Sequence, residues 1–137
     1  MKSMRAAAIL ENFHQFQTFI LQQAKESHLA AEVTLKLELV LEELVINVIN
    51  YAYPGSEGDL QVESFLLQVE ERPHFCITLR DWGTPFNPLG SSTPRTELQI
   101  EDCPIGGLGI SIVQQMTDSL SYKRDGGCNV LTFGFDF

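Results

Sequence analysis

Apolar residues Ile9, Leu10, Phe13, Phe16, Ile20 and Leu21 recur at three- and four-residue steps, which predicts an amphipathic helix from Ile9 to about Ser27. A second stripe, Val33, Leu37, Val40, Leu41, Leu44 and Val48, predicts a longer helix beginning near Ala30. It stops before Pro54-Gly55, because proline disfavours a helical residue ahead of it. From Gly58 to Asp81 the period changes to two. Leu60 and Val62, then Phe75, Ile77 and Leu79, alternate with polar residues around a break at Glu71-Arg72-Pro73, the pattern of a β-hairpin. Residues 83 to 106 hold Pro85, Pro88, Pro94 and Pro104 with Ser91-Ser92-Thr93 and read as a long loop. Loops of that length in small domains are usually functional lids or disordered segments. After Gly106-Gly107-Leu108-Gly109, the run Ile110, Ile112, Val113 and Met116 predicts a helix to about Asp118. Ser121 to Arg124 and Asn129 to Phe137, joined by Asp125-Gly126-Gly127, predict a closing hairpin. One α/β or α+β domain over 1–137 is expected.

Composition narrows the class. With 137 residues, 44% of them apolar, the chain can bury a core. Its nine Lys and Arg are scattered and its formal charge is -9, so direct binding of nucleic acid is not expected. Three cysteines far apart, without metal-ligand spacing, read as reduced thiols. The opening MKSMRAAAIL is too short an apolar run for a leader, and no window reaches about 18 apolar residues, so a cytoplasmic protein without membrane association is expected.

Three constellations carry candidate chemistry. Glu43, Asn47 and Asn50 stand at i, i+4 and i+7 on the second helix, a polar line beside Leu44 and Val48. Glu38 and Glu42 read as a solvated face. Asn47 differs, because Val45, Ile46, Val48 and Ile49 surround it and a buried amide needs partners. Its carbonyl oxygen suits Mg²⁺, which takes few protein oxygens and fills the rest of its shell with phosphate and water. Glu43, one turn earlier, could accept a proton from an attacking hydroxyl. The second constellation is Asp81-Trp82-Gly83-Thr84-Pro85-Phe86, where a strand ends in a carboxylate followed by glycine. Such an aspartate can accept from an adenine amino group, although the same fragment is also common turn chemistry. The third, Gly106-Gly107-Leu108-Gly109 ahead of a helix, offers backbone N–H groups to phosphate oxygens. It lacks the Gly-Lys-Ser/Thr of a P-loop and the third glycine of a dinucleotide fingerprint.

In this order, Glu43-Leu-Val-Ile-Asn47, Asp81-Trp-Gly83-Thr-Pro-Phe86 and Gly107-Leu-Gly109 resemble the N, G1 and G2 boxes of the gyrase, chaperone and histidine-kinase (GHKL) ATPase superfamily. Asn47-Val-Ile-Asn-Tyr-Ala-Tyr53 and the ending Gly-Gly-Cys-Asn-Val-Leu-Thr-Phe look like its anti-sigma factor serine/threonine kinases. The resemblance spans about residues 30 to 137. It implies a two-layer α/β sandwich, with helices on one face of a mixed, mostly antiparallel sheet and ATP held under a lid at about 87–106. By resemblance Asn47 holds Mg²⁺ and Glu43 is the catalytic base. Nucleotide contacts are implied for Asn47, Asn50, Asp81, Gly83, Phe86, Gly106, Gly107, Leu108, Gly109 and Thr132. Kinase members often carry a lid arginine just before the G2 glycines, where this chain has Asp102-Cys103-Pro104-Ile105-Gly106; Arg95 is the basic residue left to approach a transferring phosphoryl group. Implied partners are an anti-sigma factor antagonist, a sigma factor and a second copy in a homodimer. The alternative function is a non-catalytic, nucleotide-dependent binding module.

Overall fold

The computed structural model describes residues 2–87 and 107–137. The chain runs β1 (Lys2–Ala7), α1 (Phe13–Glu26), α2 (Ala31–Tyr51), β2 (Asp59–Val69), β3 (Arg72–Asp81), α3 (Gly107–Met116), β4 (Ser119–Asp125) and β5 (Cys128–Asp136). The strands form one sheet in the order β1-β2-β3-β5-β4, and each described ladder is antiparallel. Period-two alternation gives the sheet two unlike faces. Leu60, Val62, Phe75, Ile77, Leu79, Leu131, Phe133 and Phe135 are buried in one cluster with Phe16 and Ile20 of α1, Leu37, Leu41 and Leu44 of α2, and Ile110 and Val113 of α3. Helices therefore cover one face only, the α+β sandwich that the resemblance implies.

Three boundaries differ from the sequence reading. The first helix is α-helical only from Phe13, after a 3₁₀ turn at Leu10–Asn12, because β1 and its exit occupy the residues before it. β1 escapes the alternation rule: as an edge strand it has no fully buried residue to mark a phase. The β2–β3 turn falls at Glu70-Glu71, both at positive φ (52° and 67°), shifted towards β2 from the expected break at Glu71-Arg72-Pro73. Pro73 stands in register with Gln68 near the start of β3, a strand position that proline tolerates. The closing hairpin turns as read, with Gly126 and Gly127 at φ 58° and 84°, values that a two-residue turn needs and glycine supplies freely. At the end of α1, His28 takes a left-handed φ of 61° and Leu29 N–H bonds back to Ala24 O, closing the helix as a Schellman cap. No helix among the described residues is long and apolar enough to cross a membrane.

Candidate nucleotide site

Asp81 and Asn129 are polar residues in the core-facing phase of their strands, in step with Leu79 and Leu131. The β3–β5 register sets them opposite each other. Both are buried, at 5% and 4% exposure. Asp81 Oδ1 accepts from Asn129 Nδ2 (2.8 Å) and from the Gly83 N–H (3.0 Å). Among the described residues both bonds fall on Oδ1, which leaves Oδ2 as the oxygen available to a ligand. Burial pushes the Asp81 carboxyl above the ordinary carboxylate range, against the lowering effect of Asn129, the Gly83 N–H and the Arg124 guanidinium.

Asn129 ties the site together. Its Nδ2 also donates to Thr84 O (2.8 Å), while its Oδ1 accepts from Tyr122 OH (2.6 Å), Phe86 N–H (3.2 Å) and Arg124 (3.2 Å). Two acceptors on one end and three donors on the other fix the amide orientation without ambiguity. Arg124 also donates to Gly83 O at 2.9 Å, so the 83–86 loop is held from β4 and β5. From the helix side, the Thr84 N–H bonds to Ala52 O (2.9 Å), and the Tyr53 hydroxyl accepts from the Trp82 N–H (2.8 Å) and donates to Asp59 O. Gly83 meets the end of α2 so closely that a Cβ there would lie 2.0 Å from Ala52 O. The glycine is thus explained by backbone packing against α2, a role separate from the nucleotide contact that the resemblance implies for it.

These contacts frame a small cavity of about 20 Å³ between α2 and the sheet, lined by Leu44, Asn47 and Val48 of α2, Leu79 and Asp81 of β3, Phe86, Tyr122, and Asn129 and Leu131 of β5. Its walls are mainly apolar with three convergent polar side chains, the usual make-up of a small-molecule pocket. Tyr51 packs on Phe86 with ring centroids 5.9 Å apart, securing the side of the cavity from the end of α2.

The structure thus gathers Asn47, Asp81 and Phe86 of the sequence-predicted residues around one cavity. Others fall elsewhere. Glu43 is half-buried one turn from Asn47 and outside the lining, and Asn50, in the last turn of α2, is exposed. Thr132 is out of phase with Leu131 and Phe133; it lies on the far face of the sheet with its hydroxyl 3.2 Å from Thr78 and does not belong to this cavity. Gly107, Leu108 and Gly109 form the first turn of α3. Gly106, Arg95 and nearly all of the expected lid lie outside the described residues. Asn129 was missed by sequence reasoning. The signal was present: a polar residue in the inward phase of a strand otherwise reading Leu131, Phe133, Phe135.

Residues 6–135 match the family of histidine kinase-like ATPase domains, and the chain belongs to that family. It is 25% identical over 104 residues, 75% of its length and 70% of the relative's, to the serine/threonine-protein kinase BtrW of Bordetella bronchiseptica. Membership in an ATPase family implies that the chain binds ATP.

Proposed function

We propose that the protein is a cytoplasmic ATP-dependent serine/threonine kinase acting as an anti-sigma factor, which phosphorylates a small antagonist protein and sequesters a sigma factor. The observation that carries the reading is the buried Asp81 carboxylate, one oxygen of which has no hydrogen bond among the described residues, in a mainly apolar cavity lined by Phe86. A carboxylate so placed accepts from an exocyclic amine, and apolar walls suit a planar base, which together fit adenine. The kinase named among its relatives supports the transfer chemistry. Asn47, on the cavity wall, would hold Mg²⁺ through its carbonyl oxygen. Bound ATP with Mg²⁺ would supply the transferable phosphoryl group. Glu43 would take the proton from the incoming hydroxyl.

The test is incubation with labelled ATP, Mg²⁺ and an antagonist candidate. Transfer to a serine or threonine is expected, falling about 10²-fold in Glu43→Ala. A second reading, a non-catalytic nucleotide-dependent binding module, draws on the position of Glu43 outside the cavity lining. It prevails if the wild type binds ATP and partner yet transfers nothing.

A further inference from the structure

The sheet face turned away from the helices carries a second constellation, unconnected with the nucleotide cavity. His74 is buried, at 6% exposure, and stands in register with Asp136. Its Nδ1 is hydrogen-bonded to Asp136 Oδ1, and its Nε2 lies 3.1 Å from the Ser119 Oγ. With Nδ1–H donating to the carboxylate, Nε2 is the acceptor of the serine proton, the tautomer that a general base needs. Gly134 is opposite both Cys76 and Ser119, and a Cβ there would lie 2.8 Å from the His74 ring and 2.8 Å from Ser119 Oγ. Glycine weakens a strand interior, and here its missing side chain is what lets imidazole and hydroxyl meet. Beside them a groove of about 360 Å³ is lined by Phe65, Leu67 and Val69 on its apolar side. Leu67 and Val69 are 48% and 45% exposed. Ser119 is solvent-exposed on β4, the edge strand, along which alternate backbone N–H groups have no strand partner among the described residues. The neighbouring Cys76 is buried, and burial pushes its thiol up, so the hydroxyl is the nucleophile this face presents.

We infer that Ser119, His74 and Asp136 form a second, hydrolytic site that cleaves small carboxylic esters whose acyl chain lies along Phe65, Leu67 and Val69. Ser119 Oγ bonds to the ester carbonyl carbon as its proton passes to His74 Nε2. The carbon–oxygen bond to the alcohol breaks, and the alcohol leaves with that proton. Water then gives a proton to His74 and bonds to the acyl carbon; the Oγ–carbon bond breaks, Ser119 regains its proton and the carboxylic acid departs. Asp136 is a positioning residue that acts through the imidazole.

The test uses the full chain with p-nitrophenyl butyrate as substrate and a fluorophosphonate as covalent probe. Peptide mass spectrometry should place the probe on Ser119 of the folded protein and not of the heat-denatured one. Ser119→Ala should cut hydrolysis about 10²-fold while the protein keeps its circular dichroism spectrum. Asp136→Asn should lower kcat with KM unchanged, and Asp136→Glu should restore part of it. The inference is overturned if the probe leaves Ser119 of the folded protein unmodified, or if Ser119→Ala hydrolyses the ester at the wild-type rate.

Discussion

Asp81 stands at a point where ligand binding and stability pull in opposite directions. A carboxylate at 5% exposure costs desolvation energy, and its pKa is raised accordingly. Asp81→Asn keeps an oxygen for Asn129 and Gly83 but turns an NH₂ toward the ligand in place of Oδ2. The expected outcome is weaker ATP binding by calorimetry with a melting temperature equal to or above that of the wild type. Unchanged ATP affinity would remove Asp81 from the reading of adenine. The pH dependence has a definite sign. Because the folded pKa lies above the unfolded one, the stability linked to Asp81 is complete below the unfolded pKa and is lost as pH rises through the folded value. ATP affinity should run the other way, falling as acid protonates the acceptor, and titration calorimetry across the acid range reads both. At this scale much was legible. Asn47 could be picked out because it interrupts an apolar run and Asp81 because a carboxylate ends a strand ahead of a glycine, whereas Thr132 came only with the resemblance and Asn129, one face apart, was passed over because phase along β5 was not applied to polar residues.

Helix α2 and the loop after β3 act as one unit, joined through Ala52 and Tyr53. Gly83→Ala would drive a methyl into Ala52 O, and neither backbone can yield without breaking the Thr84–Ala52 bond. A loss of about 2 kcal/mol in urea denaturation is expected, together with weakened nucleotide binding. On α2 itself, Asn47→Ala should lower ATP affinity in Mg²⁺. Glu43→Ala should leave affinity near wild type while transfer falls; equal behaviour of the two would collapse their separate assignments. A third element carries visible strain: the β2–β3 turn places two glutamates at positive φ, where Asn-Gly is the favoured pair. Glu70→Asn combined with Glu71→Gly should raise the urea midpoint by an amount equivalent to about 1 kcal/mol. That turn also shows why its position escaped the sequence. Proline is the stronger punctuation mark, and it drew the break downstream of a turn made by residues with no local preference for it.

On the scale of the whole molecule, one sheet separates two chemistries. Its covered face holds the candidate nucleotide cavity, and its open face holds Ser119, His74 and Asp136. The edges are guarded by charge, with Lys2 and Arg5 on β1 and Lys123, Arg124 and Asp125 on β4, which discourages strand addition. From the Asn129 row to the Gly134 row is five residues along β5, about 17 Å at strand rise. Sites that far apart without shared partners behave additively, to within about 0.5 kcal/mol. Saturating ATP at a hundred times its dissociation constant stabilises the fold by about 2.7 kcal/mol, a shift readable by thermal melting. That shift should survive in Ser119→Ala and vanish in Asp81→Asn. Labelling of Ser119 by the fluorophosphonate should do the reverse, and the double variant should lose both without further penalty. If ATP altered the labelling of Ser119, the two faces would be coupled through β5, and the sheet would have to be treated as a transmitting element rather than a partition.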